Sequence, residues 1–269
     1  MAEVRWERCK AHELRALADE GAAVVLPVAA IEQHGPHLPV WVDTRLGHEV
    51  ACRAARKAWE RRKVLVAPPV WSGLSEHHMP YGGTLTLDRD TFLAVLRGLI
   101  GSLARHGFRD ILIANSHGGN ILASQVAADE AGQAGIATVV STTYAHEARE
   151  AFAEILEDQP GIMHACEAET SMMLALEPGL VDTADLAALD TPRGDGFLGA
   201  GVASYRWRPF QHMTGNGVSG FPAKASAEKG ERLLEAGAET LAALILDPQT
   251  WAAPRDLRGE GTGGVPFRH

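Results

Sequence analysis

Residues 24–30 read Val-Val-Leu-Pro-Val-Ala-Ala, a short apolar run that is rich in valine. Runs of similar character lie at residues 64–67, 111–114 and 137–141. Continuous apolar runs of about four to eight residues are typical of strands that are buried on both faces. The sequence therefore predicts a strand at each of these positions.

Segments with helical periodicity lie between these runs and after them, at residues 45–59, 89–106, 121–134 and 227–246. Asp88 and Asn120 stand just before two of these segments and are predicted to be their N-caps. Strands that alternate with helices imply right-handed crossovers and a largely parallel sheet that is covered by helices on both sides. The predicted fold class is therefore α/β.

The composition is that of an ordinary globular protein, because 46% of the 269 residues are hydrophobic and 22% are charged. No internal repeat is visible in the sequence, and we expect a single domain over residues 1–255. The glycine-rich segment at residues 256–269 is expected to be a mobile tail or to contribute to a subunit contact.

The charge balance is acidic, since Asp and Glu number 34 against 25 Lys and Arg and give a formal charge of −9. A negative chain opposes binding to nucleic acid or anionic lipid, so we expect a small-molecule partner. No apolar run reaches about eighteen residues without a charge, and residues 1–20 mix charged with apolar residues. We therefore expect neither a membrane span nor a signal peptide, and a cytoplasmic location. The three cysteines lack C-x-x-C spacing, which predicts reduced thiols.

The first polar cluster, Glu32, His34 and His37, follows the first predicted strand, and Asp43 comes shortly after it. Ligands of such sheets bind beyond the carboxyl ends of the strands. Carboxylate and imidazole groups bind divalent metals, so this loop is a candidate metal site. The alternative is a polar loop with an ordinary helix cap at Asp43, and the loop alone leaves both readings open.

A second cluster follows the predicted strand at residues 111–114 and reads Asn-Ser-His-Gly-Gly-Asn over residues 115–120. Gly118 and Gly119 allow close approach of the backbone to another group, and a turn that leads into a helix supplies amide donors. A glycine turn with an incidental histidine at His117 is the alternative.

The third cluster contains His164, Cys166, Glu167 and Glu169. The two glutamates are two residues apart, so at most one is expected to point inward if the segment is helical. The alternative is a pair of first-turn carboxylates favoured by the helix dipole. We expect Cys166 to be a small buried residue.

A fourth region, residues 75–84, has the polarity and glycine content of a loop that faces substrate. The remaining histidines have no partner pattern and are expected to be structural or solvated: His12, His48, His106, His146 and His212.

Together these motifs resemble the creatininase (creatinine amidohydrolase) family. The resemblance covers residues 25–246, and its three motifs occur in the family's order. It implies a three-layer α/β/α fold, a homohexamer, and two divalent metal ions per subunit, which are zinc, manganese, iron or magnesium.

The resemblance also implies roles for particular residues. Glu32, Asp43 and His117 resemble the ligands of one metal, and His34 with a bridging Asp43 resembles part of the second site. His164 resembles the proton shuttle of the family.

One position departs from the creatinine-hydrolysing members, which have a glutamate where this chain has Gly119. Glu169 is then the natural replacement, as a metal ligand and catalytic residue. Those members also have a tryptophan where this chain has Pro160, so creatinine is expected to be a poor substrate.

The activity implied is hydrolysis of an amide, cyclic amide or formamide C–N bond in a small polar metabolite through a metal-bridging hydroxide. The alternatives are hydrolysis of a cyclic polyol ketone, trimming of a cofactor-precursor peptide, and a non-catalytic metal-binding subunit. The residues expected to contact substrate are Glu76, His77, Tyr81, Gly118, Gly119 and Tyr144.

Overall fold

A parallel sheet of four strands forms the centre of the molecule in a computed structural model, which describes residues 2–191 and 206–255. The strands are β1 (Ala23–Val28), β2 (Val64–Val66), β3 (Asp110–Asn115) and β4 (Thr138–Thr143). Their order in the sheet is β2-β1-β3-β4, and every neighbouring pair is parallel. The tail at residues 256–269 lies outside the described residues.

The helices within the described ranges are α1 (Ala11–Asp19), α2 (Val42–Ala58), α3 (Arg89–Arg105), α4 (Ile121–Gln133), α5 (Tyr144–Glu147), α6 (Arg149–Ala153), α7 (Glu167–Leu176), α8 (Ala227–Leu246) and α9 (Pro248–Trp251). None of the helices in these ranges is long and apolar enough to cross a membrane.

Two apolar cores lie on opposite faces of the sheet, because successive side chains of a strand point to opposite sides. Val25 and Leu112 face a core built with helices α2, α7 and α8. Val24 and Ile111 face a second core that includes residues of α3 and α4. The predicted three-layer α/β/α arrangement is confirmed.

Strand β4 differs from the prediction of a strand buried on both faces. It lies at the edge of the sheet, pairs only with β3 among the described residues, and its side chains are half-buried or exposed. The sequence Thr-Val-Val-Ser-Thr-Thr fits this position, since threonine suits a partly solvated strand.

The two predicted N-caps have different outcomes. Asp88 caps α3, and its side chain accepts a hydrogen bond from the Thr91 amide at 2.9 Å. Asn120 stands at the N-cap position of α4, directly after a 3-10 turn at Gly118–Asn120, but its side chain makes no capping hydrogen bond. Its amide instead donates to Ala29 O and accepts from Leu74 N, so that Asn120 joins the loops that follow β1 and β2.

Helix α2 begins at Val42, three residues before its predicted start, so Asp43 lies within the first turn rather than ahead of the helix. Strands β1 and β3 are neighbours, and Val28 pairs with Asn115 at their carboxyl ends. The loop that carries Glu32 and the loop that carries His117 therefore begin side by side.

Candidate metal centre

Glu32, Asp43 and His117 meet beyond the carboxyl ends of β1 and β3. The Nδ1 atom of His117 lies 3.1 Å from Glu32 Oε2 and 3.3 Å from Asp43 Oδ2. All three side chains are buried. The structure thus brings together the three residues predicted to hold one metal.

His34, Asp43 and Glu169 form a second group in which the ligand atoms all lie within 4.8 Å of one another. The Nε2 atom of His34 is 3.5 Å from Asp43 Oδ1 and 3.8 Å from Glu169 Oε2. The two carboxylate oxygens of Asp43 therefore face different histidines, which is the geometry of a bridging ligand.

Hydrogen bonds to backbone carbonyls select one tautomer of each histidine. His34 Nδ1 donates to Glu32 O at 3.1 Å, and His117 Nε2 donates to Leu74 O at 3.1 Å. The opposite nitrogen of each ring is directed at the carboxylates. This is how metal-binding histidines are usually oriented.

Two buried polar atoms of this cluster make no hydrogen bond, namely His34 Nε2 and Asp43 Oδ2. Leaving buried polar atoms unpaired costs about 1 to 3 kcal/mol each. Divalent cations coordinated by the carboxylates and imidazoles would satisfy both atoms. The residues present therefore fit the metal ions that the family implies.

The charged state of the first group follows from close pairing. Burial alone would raise the pKa of Glu32, but the charges of His117 and His78 outweigh it and hold that pKa well below the ordinary value. Burial would lower the pKa of His117, but Glu32 and Asp43 raise it well above the usual range. The site therefore strongly favours positive charge next to its carboxylates.

The second group resembles the first in its histidine but differs in its carboxylate. Burial would lower the pKa of His34, but Glu169 and Asp43 raise it well above its ordinary value. Burial raises the pKa of Glu169, with an opposing contribution from His34. A cation in this position would stabilise the ionised form of Glu169.

The first turn of α7 presents Glu169 to this centre. The Ala165 amide donates to Glu169 Oε2 at 2.5 Å, and Ala165 itself has a positive φ of 52°. This sparsely populated conformation lets the chain turn between His164 and the helix while the amide of Ala165 points at the carboxylate.

Glu167 is also buried, which corrects the expectation that at most one of the two glutamates points inward. It faces a different part of the interior, where Lys229 Nζ lies 2.6 Å from its Oε1 and the amides of Glu157 and Asp158 donate to its carboxylate. Both glutamates are therefore buried and have specific partners, and a solvated first turn favoured only by the helix dipole does not describe them.

His164 lies beside the centre, in an antiparallel bridge with Ser219. Its Nε2 donates to Gln33 O at 2.8 Å, which leaves Nδ1 unprotonated and 3.6 Å from Glu32 Oε1. Burial, together with the charges of His34 and His78, holds the pKa of His164 well below its ordinary value. An uncharged imidazole is therefore available next to the carboxylates.

His78 was not singled out from the sequence, yet it belongs to the site. Its Nε2 lies 3.2 Å from Glu32 Oε1, and the Gln33 amide lies 2.9 Å from its Nδ1. Its ring stacks on His164 with centroids 4.4 Å apart, and Phe210 packs against both rings. The His77–His78 doublet was the available signal, but sequence cannot say which side of the turn each ring occupies.

A cavity opens onto the centre. Besides the candidate metal ligands and His164, it is lined by Ser116, Gly118, Thr143, Ala145, His146, Ile162 and Met163. Gly118 is thus the residue predicted to contact substrate that the structure places on the cavity wall. His146 was expected to be structural or solvated, and it is exposed at the same wall.

The other residues predicted to contact substrate do not line this cavity. Tyr144 is buried in the core against Phe152, so its ring does not face the cavity. Glu76 is exposed, and the Tyr81 hydroxyl donates to Thr214 O. Gly119 lies under His117, and His77 lies beside Glu32 and His117. Burial and the neighbouring His78 and His117 lower the pKa of His77 to about 3.

Sequence comparison connects this geometry to known proteins. The family model described as creatininase, creatinine amidohydrolase, matches residues 7–245. The creatinine amidohydrolase of Pseudomonas putida is 34% identical over 199 residues, covering 68% of this chain and 73% of that protein. The mycofactocin precursor peptide peptidase of Mycolicibacterium smegmatis is 32% identical over 219 residues, 78% of each chain. The 3-dehydro-scyllo-inosose hydrolase of Thermotoga maritima is 29% identical over 246 residues, 83% of this chain and 76% of that protein.

Solved structures agree with these matches. A creatinine amidohydrolase structure has a TM-score of 0.76 at 28% identity and covers 94% of this chain and 100% of its own. A structure described as "Creatininase Mn" has the same TM-score and identity and covers 91% of this chain and 98% of its own. The chain therefore belongs to the creatininase family of metal-dependent hydrolases.

Proposed function

We propose that this protein is a dinuclear metal-dependent amidohydrolase that cleaves an amide-type C–N bond of a small polar metabolite. The observation that carries the proposal is Asp43, whose two oxygens lie 3.5 Å from His34 Nε2 and 3.3 Å from His117 Nδ1. One carboxylate between two imidazoles is suited to two cations. Glu32 and Glu169 supply a further carboxylate on either side.

The proposed ligands are Glu32, His34, Asp43, His117 and Glu169. When bound, two divalent cations supply Lewis acidity, which lowers the pKa of a water from about 15.7 towards 7 and polarises a carbonyl oxygen. Zinc, manganese, iron and magnesium all remain candidates, because mixed carboxylate and imidazole ligands suit several of these ions.

His164 carries the proton in this proposal. Its Nδ1 is unprotonated and faces Glu32, and its ring is fixed by the bond from Nε2 to Gln33 O. The depressed pKa keeps the imidazole uncharged, so that it accepts a proton from the attacking water and then donates it to the leaving nitrogen. Glu169 acts as a catalytic residue through its position as a ligand.

The cavity wall is suited to a small substrate. Ile162 and Met163 contribute apolar side chains to the lining, and Ser116, Thr143 and His146 contribute polar side chains. Backbone atoms of Gly118 are accessible at the same wall. A metabolite that combines a compact apolar part with hydrogen-bonding groups fits these surroundings.

Two of the relatives support cleavage of a C–N bond rather than reaction at a cyclic polyol ketone. The amidohydrolase and the precursor peptide peptidase are named for hydrolysis of amide bonds, and both exceed 30% identity to this chain. A peptidase activity on a short peptide is therefore the second candidate. A non-catalytic metal-binding subunit is the third.

A substrate panel tests the proposal. The metal-loaded protein is incubated with cyclic amides including creatinine, N-formyl amines, short peptides and cyclic polyol ketones, and products are identified by mass spectrometry. We expect metal-dependent C–N hydrolysis that is lost in His164→Ala. Two bound metals without turnover of any C–N substrate would favour the non-catalytic reading.

Creatinine is expected to be turned over with an efficiency below about 10⁴ M⁻¹s⁻¹, the lower end of natural enzyme–substrate pairs. Pro160 offers no aromatic face for a flat cationic ring, and such a face contributes roughly 1 to 2 kcal/mol, or about tenfold or more. Steady-state kinetics above that efficiency would show that this specificity assignment is wrong.

We also propose that the protein is a homohexamer, which the family resemblance supports, and that it is cytoplasmic, as expected from the sequence. Trp41, Trp71 and Leu85 are exposed in the single chain and are candidates for burial between subunits. Light scattering during size-exclusion chromatography measures the assembly state.

A further inference from the structure

His77 lies in the 3-10 turn Glu76–Tyr81, next to the residues assigned to the first metal. One ring nitrogen of His77, a carboxylate oxygen of Glu32 and a ring nitrogen of His117 all lie within 4.8 Å of one another. The rings of His77 and His117 are nearly parallel, at 8°, with centroids 5.6 Å apart. Three potential ligand atoms therefore lie close to one another.

His77 is half-buried and makes no hydrogen bond to any residue in the ranges 2–191 and 206–255. Its neighbours in the turn are different, because His78 contacts Glu32 and Gln33, and the Tyr81 hydroxyl donates to Thr214 O. An imidazole offers one donor and one acceptor. The half-buried position of His77 beside two ligands suggests a partner other than protein.

We propose that His77 is an additional ligand of the metal held by Glu32 and His117. The centre then consists of two triads, Glu32–His77–His117 and His34–Asp43–Glu169, joined by the second oxygen of Asp43. This inference rests on the dinuclear function proposed above and assigns His77 to the metal rather than to substrate.

The two triads differ in composition, which has a consequence for metal preference. The first contains two imidazoles and one carboxylate, whereas the second contains one imidazole and two carboxylates. Imidazole ligands suit zinc, and carboxylate ligands suit manganese and magnesium. The first site is therefore expected to prefer zinc more strongly than the second.

Metal titration of substituted proteins tests the assignment. His77→Ala removes the ligand, while His77→Phe keeps an aromatic ring against His117 and Phe210 but has no nitrogen. Glu76→Ala is the matched control, since Glu76 is the exposed neighbour in the same turn. Zinc binding is measured by competition with a chelator, and X-ray absorption of the zinc-loaded proteins counts the imidazoles.

We expect both His77 variants to weaken zinc binding at one site by at least about tenfold, the scale reported even for groups that only orient ligands. The zinc affinity of the second site should be unchanged, and X-ray absorption should show one imidazole ligand fewer per subunit. Glu76→Ala should bind zinc as the unmodified protein does.

Unchanged zinc affinity in both His77 variants would overturn the proposal. A raised KM in the same variants would then indicate that His77 contacts the substrate. Recovery of zinc affinity in His77→Phe would also overturn it, since ring packing would then explain the effect. If the proposed dinuclear function itself is wrong, the unmodified protein will bind fewer than two metals. This result differs from failure of the His77 assignment alone. Thermal unfolding confirms that each variant is folded.

Discussion

At Gly119 the backbone lies too close to its neighbours for any side chain. A Cβ atom there would lie 2.2 Å from Leu74 O and 2.4 Å from His117 Nε2. Those two atoms are the partners of the hydrogen bond that orients His117. The glutamate found here in creatinine-hydrolysing relatives therefore has no space in this chain, which gives a physical reason for a replacement ligand at Glu169.

Replacing Gly119 by alanine should therefore destabilise the protein by about 1 to 3 kcal/mol, the usual cost of overpacking, and weaken metal binding through His117. Gly119→Glu should be no better and should not create creatinine hydrolysis. Thermal unfolding and zinc titration measure both effects.

Gly118→Ala is the matched control for stability, because a Cβ at Gly118 would have no neighbour within 4 Å. Equal stability of the Gly118 and Gly119 variants would contradict the explanation.

The residue types made the candidate metal ligands recognisable in the sequence, but the directions of nearby side chains could not be predicted. Glu32, His34, Asp43 and His117 stand beside strand ends, where side chains converge. Tyr144 and His146 are close in sequence, yet Tyr144 faces the core and His146 faces the cavity. Their directions depend on where α5 begins, and a four-residue helix has too little periodicity to indicate it.

At the scale of elements, the start of α7 determines the roles of its two glutamates. The helix begins at Glu167, and its first turn directs Glu169 to His34 and Glu167 to Lys229. Through the amides of Glu157 and Asp158, Glu167 also fixes one end of the segment that leads to Ile162, Met163 and His164. One turn of helix thus supports both the metal centre and the cavity wall.

Glu169→Gln should lose one metal preferentially and lower the hydrolysis rate steeply, because a neutral amide is a poor ligand beside His34. Glu167→Gln should retain both metals and lose about 1 to 3 kcal/mol of stability, because a buried charged hydrogen bond is removed. Metal analysis and denaturant unfolding of both variants distinguish the two roles.

This pair is closely matched, since both side chains are buried, lie in the same turn and keep their volume. The same metal loss in both variants, or in neither, would contradict the assignment of Glu169.

The elements themselves were largely predictable because apolar periodicity reports burial. The predicted helix at residues 227–246 agrees with α8 at both ends. Strand β1 ends at Val28 rather than at residue 30, because the Ala29 amide bonds to Val70 O in the loop after β2. Such loop contacts have no local signature, which is why the end of β1 and the turn at Asn120 were missed.

At the scale of the whole molecule, parallel strand order explains how residues 32, 43, 117 and 169 meet. The centre lies where the loops after β1 and β3 begin together, and α7 adds Glu169 from the later half of the chain. The role of Glu169 in α7 was predicted from the family resemblance and not from the periodicity of the sequence. A single domain over residues 1–255 stays a prediction.

Metal binding and pH should be coupled. The facing carboxylates raise the pKa values of His34 and His117, so the metal-free protein favours the protonated imidazoles. Metal coordination requires neutral imidazoles, so binding should release protons and weaken as pH falls. Calorimetric titrations in buffers of different ionisation enthalpy measure the protons released.

The stability of the metal-free protein should depend on pH in the opposite direction and decrease as pH rises. A pKa raised on folding contributes stability that is complete below the unfolded value, near 6.5, and is lost as pH rises through the folded value. Melting temperatures of the metal-free and loaded proteins should therefore diverge as pH rises. Parallel pH profiles and no proton release would contradict the paired charges described here.

The metal content of Asp43→Ala tests most simply whether Asp43 is shared by two metals. The unmodified chain should hold about two divalent metals per subunit, and Asp43→Ala should lose both, because the shared carboxylate has no substitute nearby. Asp90→Ala is the control, since Asp90 occupies the same position in the first turn of α3 but is exposed. Retention of two metals by folded Asp43→Ala, measured by mass spectrometry after dialysis, would contradict a centre bridged by Asp43.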